Sequence, residues 1–398
     1  MTPLPDLSTL RFVERADVHK AGSLAGHLER LPSGEVTFRY REGYAGEPVS
    51  TTLPITGRPV IRPGGGVPPF FAGLLPEGHR LTVLRREAKT SADDELTLLL
   101  AVGGDAPGDV QIVPSGAPVL DPAPLADSDP AALDFRELTD APDRHAIPGV
   151  QAKASATMLT APIATATASE RALLKIDPPG HPHLVVNEDL HLTAARGLRI
   201  PVAHHRVVQD AHGVPGLLVS RFDRVLTAEG AVERLAMEDA GQVLDVLPAA
   251  KYTLSSEQVV TALAERTAAP MIATRNLYLQ FLFAWLTGNG DLHAKNVSIL
   301  RGLDGRWQVA PIYDIPCTAV YRDFTMALPI DGRTSRIRHR HWEAFADAIG
   351  LPRPAARSAM ALALRAAGTV DLRALPFEGS PLNGALRELG LRRSELYA

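Results

Sequence analysis

Residues 288–314, GNGDLHAKNVSILRGLDGRWQVAPIYD, carry the side chains best suited to phosphate chemistry. Asp291 and Asn296 stand five positions apart, the D-x-x-x-x-N spacing of a phosphoryl-transfer loop. An apolar run follows (Val297, Ile299, Leu300), then Asp304-Gly305, then Trp307, Val309, Pro311 and Ile312. An Asp-Gly pair between apolar runs signals a hairpin, because glycine takes positive φ without steric cost. The arms are nearly equal in length, so the hairpin should bring Asp314 back to the end that Asn296 leaves. An asparagine beside a carboxylate, with a second carboxylate upstream, suits a magnesium ion held on phosphate oxygens. Asp291 could accept or orient the proton of an attacking hydroxyl. The competing reading is a turn residue, since Gly-Asn-Gly-Asp is also good turn chemistry. Between them, His293 could tie the loop down by hydrogen bonds, and Lys295 could screen a transferring phosphate.

Lys175 lies inside the apolar strand ALLKI. A lysine there is costly unless its ammonium finds a partner. It could reach nucleotide phosphates and a helix carboxylate, with Glu188 the nearest candidate. The plainer alternative is a strand-edge lysine reaching water. Together with Asp291, Asn296 and Asp314, the functional reading is favoured.

The elements that must position these groups can be read in chain order. Short alternating runs over residues 11–60, with a turn at Pro32-Ser33-Gly34, predict a small antiparallel sheet. RPGGGVPP reads as a linker, because no Walker-type Lys-Ser or Lys-Thr follows it. Helical patterns come next, interrupted at Pro76, and SADDELTLLLAVGG starts with a capping serine and an acidic first turn. DVQIVP is a short strand, and the Pro/Ala/Asp-rich stretch 115–130 a connection. From about residue 146 the order is strand, strand, helix (184–198), strand, strand, with a turn at His212-Gly213. Beyond Arg224 the pattern is mainly helical, at 236–247, 255–266 and 271–286, and again from about 341 to the end.

Composition narrows the class. The chain has 398 residues, 45% of them hydrophobic and 22% charged, with a formal net charge of −4. That is no electrostatic footprint for general nucleic-acid binding, and the basic run RTSRIRHR (333–340) reads first as a solvated face. One cysteine, Cys317, excludes an intrachain disulfide framework and a cysteine zinc site. The adjacent His204 and His205 would point to opposite faces of a strand, which argues against a shared metal. There is no Gly-x-Ser-x-Gly. No secretory signal and no span of membrane length are visible, so a cytoplasmic protein is expected.

FAGLLPEG (71–78), PGVQAK (148–153), LLKI (173–176), NEDLHLTAARGLRIPVA (187–203), VSRFDR (219–224), EDAGQVL (238–244), GDLHAKN (290–296) and PIYDI (311–315) occur in that order. In order and spacing the chain resembles the HipA-type serine/threonine protein kinases, the toxins of bacterial HipA–HipB toxin–antitoxin pairs. The resemblance covers essentially the whole chain. It implies an α+β, bilobal protein-kinase-like fold with a β-rich N-terminal subdomain and a helical C-terminal lobe. The expected divisions are 1–115, a connection at 116–145, a small-lobe core at 146–224 and a large lobe at 225–398. By the resemblance Lys175 would hold the ATP α- and β-phosphates, Asp291 would be the catalytic aspartate, and Asn296 and Asp314 would bind Mg2+. Gly149, Val150, Gln151 and Lys153 would lie over the phosphates, with His293 and Lys295 close to the nucleotide. The hinge from Ser220 to Phe222 would receive adenine.

The sequence departs from the family at Ala146, where a regulatory autophosphorylated serine commonly stands before the glycine loop. That control is then missing or moved to another hydroxyl such as Ser155. The resemblance further implies a translation-related protein substrate such as an aminoacyl-tRNA synthetase. It also implies a HipB-like helix-turn-helix antitoxin, through which DNA would be met indirectly. The alternatives are a small-molecule phosphotransferase with the same site and a non-catalytic repressor partner.

Overall fold

The computed structural model describes residues 6–62, 64–120, 126–127, 129–140, 159–165, 170–227 and 231–397. Its N-terminal part contains β1 (Arg15–Lys20), β2 (Ser23–Arg30), β3 (Val36–Tyr40) and β4 (Val60–Arg62), then α1 (Pro69–Gly73), α2 (Gly78–Ala88) and α3 (Glu95–Val102), and finally β5 (Val110–Pro114). The strands form one antiparallel sheet in the order β4-β3-β2-β1-β5. Phe38, Phe71, Leu28 and the buried face of α3 fill its core. The predicted turn at Pro32-Ser33-Gly34 joins β2 to β3. The cap of α3 is Asp94, not the expected serine: its carboxylate accepts the Thr97 N–H at 3.3 Å and pairs with Arg30 at 2.6 Å. A carboxylate adjoining the first helical residue can do both jobs, whereas Ser91 lies too far upstream.

The small lobe comprises β6 (Ala126–Asp127), α4 (Phe135–Asp140), β7 (Leu159–Thr165), β8 (Glu170–Ile176), α5 (Leu184–Ala195), β9 (His205–Gln209) and β10 (Pro215–Ser220). Its sheet runs β6-β7-β8-β10-β9. The stretch expected only to connect therefore supplies an edge strand and a helix. Phe135 packs on Leu174 and Ile176, and a Cβ on Gly216 would lie 2.7 Å from its ring.

The large lobe opens with a hairpin the sequence pattern did not announce, β11 (Arg224–Leu226) with β12 (Val232–Arg234). The helix expected at 236–247 is instead β13 (Met237–Asp239) followed by the four-residue α6 (Ala240–Val243). Sheet pairing overrides the apolar period here, because β13 pairs with β14 (Ser298–Arg301), itself paired with β15 (Trp307–Val309). A reciprocal Asp239/Gln242 capping box then starts α6. α7 (Ser256–Arg266), α8 (Pro270–Thr287), α9 (His339–Ala348), α10 (Arg353–Gly368) and α11 (Gly379–Tyr397) complete the lobe. α8 is buried on every side from Leu277 to Thr287, as an all-round apolar helix should be. Arg392 of α11 stacks on Trp285 at 3.6 Å and donates to the Trp285 carbonyl at 2.9 Å.

The N-terminal part is fastened to the kinase-like body at several places, among them Thr51, whose N–H donates to the Glu238 carboxylate at 2.8 Å. At residues 219–224, Arg221 and Arg224 pair with Asp105 at 2.6 and 2.7 Å and with Asp223 at 3.0 and 2.7 Å. Arg234 lies 3.3 Å from Asp105, and the Gly108 N–H donates to Asp223 at 2.9 Å. Near loop 288–297, Gln242 donates to the Phe70 carbonyl and Lys295 to the Gly73 carbonyl, at 2.9 and 2.8 Å. A side chain on Gly73 would collide with Gln242 at 2.8 Å, so this contact requires glycine.

Candidate functional site

Lys175 is held from two directions. Its ammonium lies 2.9 and 3.0 Å from the two oxygens of Glu188 and 3.0 Å from Asp314 Oδ1. Glu188 reaches it because of how α5 begins. His183, at the helix N-cap, is left-handed and offers no side-chain cap. Asp177 serves instead, accepting the N–H groups of His183 and Val185 at 2.7 and 2.8 Å. One position before Glu188, Asn187 donates to the Cys317 carbonyl and accepts the Cys317 N–H, each at 2.9 Å. One helix thus orients both Lys175 and the segment just after Asp314.

Asp314 is left-handed, with φ +56°. For a non-glycine residue such a backbone costs about 1 kcal/mol or more. The turn aims its N–H at the Glu188 carboxylate and its own carboxylate at Lys175. The hairpin makes this possible: β14 and β15 pair across the glycine turn at Gly305, φ +75°. The returning arm then exchanges hydrogen bonds with Pro201 and Ala203 at the approach to β9, each at 2.9 Å. Tyr313 ties the open end shut, donating to the Lys295 carbonyl at 2.8 Å and meeting Ser298 Oγ at 2.6 Å.

Loop 288–297 is built around its glycines. Gly288 ends α8 at φ +76°. A Cβ on Gly290 would stand 2.5 Å from the Thr325 carbonyl oxygen and 2.6 Å from Thr318 Oγ1, so only glycine fits. Asn289 Oδ1 accepts the Asp291 N–H at 2.8 Å. The Asp291 carbonyl accepts Asn296 Nδ2 at 3.0 Å and the His293 N–H at 2.8 Å. Its carboxylate is left to Tyr252 Oη, at 3.3 Å. His293 Nδ1 accepts the Lys295 N–H at 3.2 Å, which assigns the ring proton to Nε2. That Nε2 has no hydrogen-bond partner and faces Asp291 Oδ1 at 3.9 Å.

The electrostatics are those of a site short of positive charge. Burial pushes the Asp291 carboxyl up to about 8; Asp314 adds to the rise and Lys251 opposes it. Burial likewise pushes Glu188 up, to about 7, against the pull of Lys175. Burial disfavours the Lys175 ammonium, but Asp314 and Glu188 outweigh it and raise its pKa. Burial, then Lys251 and Lys295, hold His293 well below its ordinary range and so neutral. Two carboxylates sharing one ammonium, with Asp291 repelled by Asp314 beside them, fit a divalent cation of the magnesium type, which takes one or two protein oxygens and draws the rest from phosphate and water. Among the described residues no group of three or more His, Cys, Asp or Glu side chains is poised as a self-sufficient metal cage.

The structure thus brings Lys175, Asp314 and Asp291 into one cluster, with Asn296 bonded to the Asp291 backbone. Phe222 joins from the side, its ring 5.6 Å from that of Tyr313. The Ser220 N–H donates to the His204 carbonyl at 2.8 Å, so it is already engaged in the sheet. Lys295 takes partners other than a phosphate: besides the Gly73 carbonyl, its ammonium lies 3.7 Å from Glu77. Gly149, Val150, Gln151 and Lys153, with Ala146 and Ser155, lie outside the described residues. Sequence reasoning gave no role to Lys251, which is buried and 2.6 Å from Glu77, nor to Glu77 itself. Both sit in stretches without a period to betray them, although Glu77 falls within FAGLLPEG.

Two family models match the chain: the HipA N-terminal domain over residues 16–113 and the HipA-like C-terminal domain over 145–370. The Sinorhizobium fredii protein Y4mE, whose name proposes it as a kinase, is 29% identical over 84% of this chain and 86% of its own. The Shewanella oneidensis serine/threonine-protein kinase toxin HipA is 28% identical over 84% of this chain and 85% of its own. A solved Shewanella oneidensis complex of HipA, HipB and operator DNA contains a chain of the same fold, with TM-score 0.72 and 23% identity over 96% of this chain and 95% of that one. The fold is therefore the α+β, kinase-like one expected. Among the described residues no helix is long and apolar enough to cross a membrane.

Proposed function

Because the chain belongs to the HipA family, we propose that it is an ATP- and magnesium-dependent kinase that phosphorylates a serine or threonine of another protein. The observation that carries this reading is the Lys175 ammonium held between Glu188 and Asp314. A lysine fixed by a helix carboxylate, beside a metal-type aspartate, is the arrangement that neutralises nucleotide phosphates in phosphoryl transfer. Lys175 would face the α- and β-phosphates. Asn296 and Asp314 would hold magnesium, which when bound supplies charge neutralisation across the phosphate oxygens. Asp291 would orient the acceptor hydroxyl and take its proton as the new O–P bond forms and the bond to the leaving diphosphate breaks. Its carboxyl, raised to about 8, suits proton exchange near neutral pH. Neutral His293 would steady that carboxylate through Nε2–H. Residues 220–222 would border adenine, and Gly149, Val150, Gln151 and Lys153 would cover the phosphates.

A protein hydroxyl is favoured as acceptor by the name of the Shewanella relative, a serine/threonine-protein kinase toxin. A translation-related protein such as an aminoacyl-tRNA synthetase is the proposed target, with growth arrest as the outcome and the cytoplasm as the place. A HipB-like antitoxin is the proposed partner, since the solved HipA of the same fold is seen with HipB on operator DNA. Phosphoproteomics of cells briefly expressing the wild type or Asp291→Asn tests the reading. A serine or threonine phosphorylated only by the wild type is expected. Label from γ-labelled ATP appearing solely in small solutes would replace the protein acceptor with a small molecule. No ATP consumption by either chain would end the kinase reading.

A further inference from the structure

Two lysines flank the Asp291 loop, and neither is free to meet solvent. Lys251 precedes α7 with its side chain 1% exposed, and its backbone carbonyl accepts the Ala294 N–H of the loop at 3.3 Å. Lys295 lies within the loop, its side chain 4% exposed. Both reach the same carboxylate: Lys251 Nζ is 2.6 Å from Glu77 Oε2, and Lys295 Nζ is 3.7 Å from Glu77 Oε1. Glu77 comes from the turn between α1 and α2 of the N-terminal part, over 170 residues away in sequence. The Gly73 carbonyl in the same segment takes the Lys295 ammonium at 2.8 Å.

From this geometry we infer that Glu77 is a positioning residue of the phosphotransfer site: it binds the two loop-flanking lysines from the N-terminal domain and so fixes loop 288–297 and keeps both ammoniums away from the Asp291 carboxylate. The inference rests on the kinase reading for its functional consequence. A buried ammonium deprived of its counter-ion must move or lose its proton, since an unpaired charge is far more costly inside than outside. With Glu77 neutralised, Lys251 and Lys295 still have Asp291 and Asp239 within electrostatic reach; Asp291 already feels the charge of Lys251, and Asp239 that of Lys295. A lysine paired with Asp291 would occupy the place of the acceptor hydroxyl. The geometry also makes the N-terminal domain part of the site rather than an appendage. The same segment is pinned independently where Gln242 grips Phe70 over Gly73.

The test uses the full-length chain carrying Glu77→Gln, with Glu77→Asp as the conservative variant that also guards against misfolding. Hydrogen exchange of peptides covering 289–297 should speed up by about tenfold in Glu77→Gln, while α8 peptides keep wild-type protection. Turnover of γ-labelled magnesium-ATP should fall by roughly 10- to 100-fold with KM for ATP within about twofold, since the loss is one of orientation. Glu77→Asp should recover most of both. Wild-type exchange over 289–297 together with unchanged turnover would overturn the inference. So would exchange raised equally in α8, which would make Glu77 a stabilising tie and nothing more. If the wild type turns over no ATP, the kinase reading fails, while the exchange measurement still decides whether Glu77 fixes the loop.

Discussion

Two buried ionic clusters stand a short way apart in this molecule, and they are built to opposite ends. Beside the predicted hinge, Arg221, Arg224 and Arg234 surround Asp105 and Asp223, with the Ala106, Gly104 and Gly108 carbonyls accepting further guanidinium N–H groups. At the candidate site, Glu188 and Asp314 share the ammonium of Lys175, Asp291 is repelled by Asp314, and Lys251 is drawn off by Glu77. In the first, cations exceed carboxylates. Burial works against the Asp223 carboxylate, yet Arg221 and Arg224 overcome it and hold its pKa far down. Burial, with Arg221, lowers Arg224 to about 10, which leaves it charged at neutral pH. In the second, carboxylates exceed cations and two of them are pushed up. Burial alone does not separate glue from chemistry. The sign of the charge left uncompensated does, and at the site that charge is negative.

The sharpest test of that contrast is to remove one carboxylate from each cluster. Asp291→Asn is expected to cut phosphate transfer by roughly 10²- to 10⁴-fold, while the melting temperature holds or rises because a repelled carboxylate is gone. A variant with full activity would break the functional half of the comparison. Asp223→Ala should do the reverse in kind, costing about 3–5 kcal/mol of stability by leaving buried guanidiniums unpaired. Denaturant melts would read this, and a loss below about 1 kcal/mol would show that the hinge cluster is not the clamp its geometry describes.

pH should separate the clusters next. The depressed Asp223 pKa contributes stability that is fully present above the ordinary aspartate value of about 3.9 and is lost as pH falls through its lower folded value. The raised Asp291 carboxyl acts the other way. Its contribution is present below about 3.9 and is lost as pH climbs toward about 8. Melting curves of the metal-free chain should therefore decline from about pH 4 to about pH 8 and level off above it, and Asp291→Asn should flatten that decline. An unchanged slope in the variant would place the titration elsewhere. The smallest effect is expected at the exposed Arg353–Asp347 pair, 3.1 Å apart on the surface. Arg353→Ala should leave both melting and turnover at wild-type values, since solvent screens such pairs.

Much of the site could be read along the chain because its residues are local to short motifs. The interval from Asp291 to Asn296, the Asp304-Gly305 turn and the return to Asp314 are properties of one hairpin. Lys175 announced itself as a charge in an apolar strand, with Glu188 thirteen residues downstream on the next helix. The sheet of the N-terminal part and the order of small-lobe elements followed from alternation and turn residues. Less was legible where pairing is long-range. Residues 236–247 have an apolar rhythm that suits a helix, yet the edge of β14 was there to be paired and made 237–239 a strand. Lys295 looked placed for phosphate, but Gly73 and Glu77 approach it from a segment more than 200 residues earlier.

What the sequence determined, then, was the chemistry on offer: two aspartates, an asparagine and a lysine in the order and spacing of a phosphotransfer site, on a chain of HipA type. Hydrogen bonding within a hairpin and burial along a strand act over a few residues, so residue order alone carries them. Only the tertiary structure decided how charge is shared. Whether a buried lysine serves the site or the scaffold depends on which carboxylate reaches it first. For Lys175 that is Glu188 and Asp314; for Lys251 and Lys295 it is Glu77 from the N-terminal domain, because Coulomb energy inside a protein is settled by distance in space.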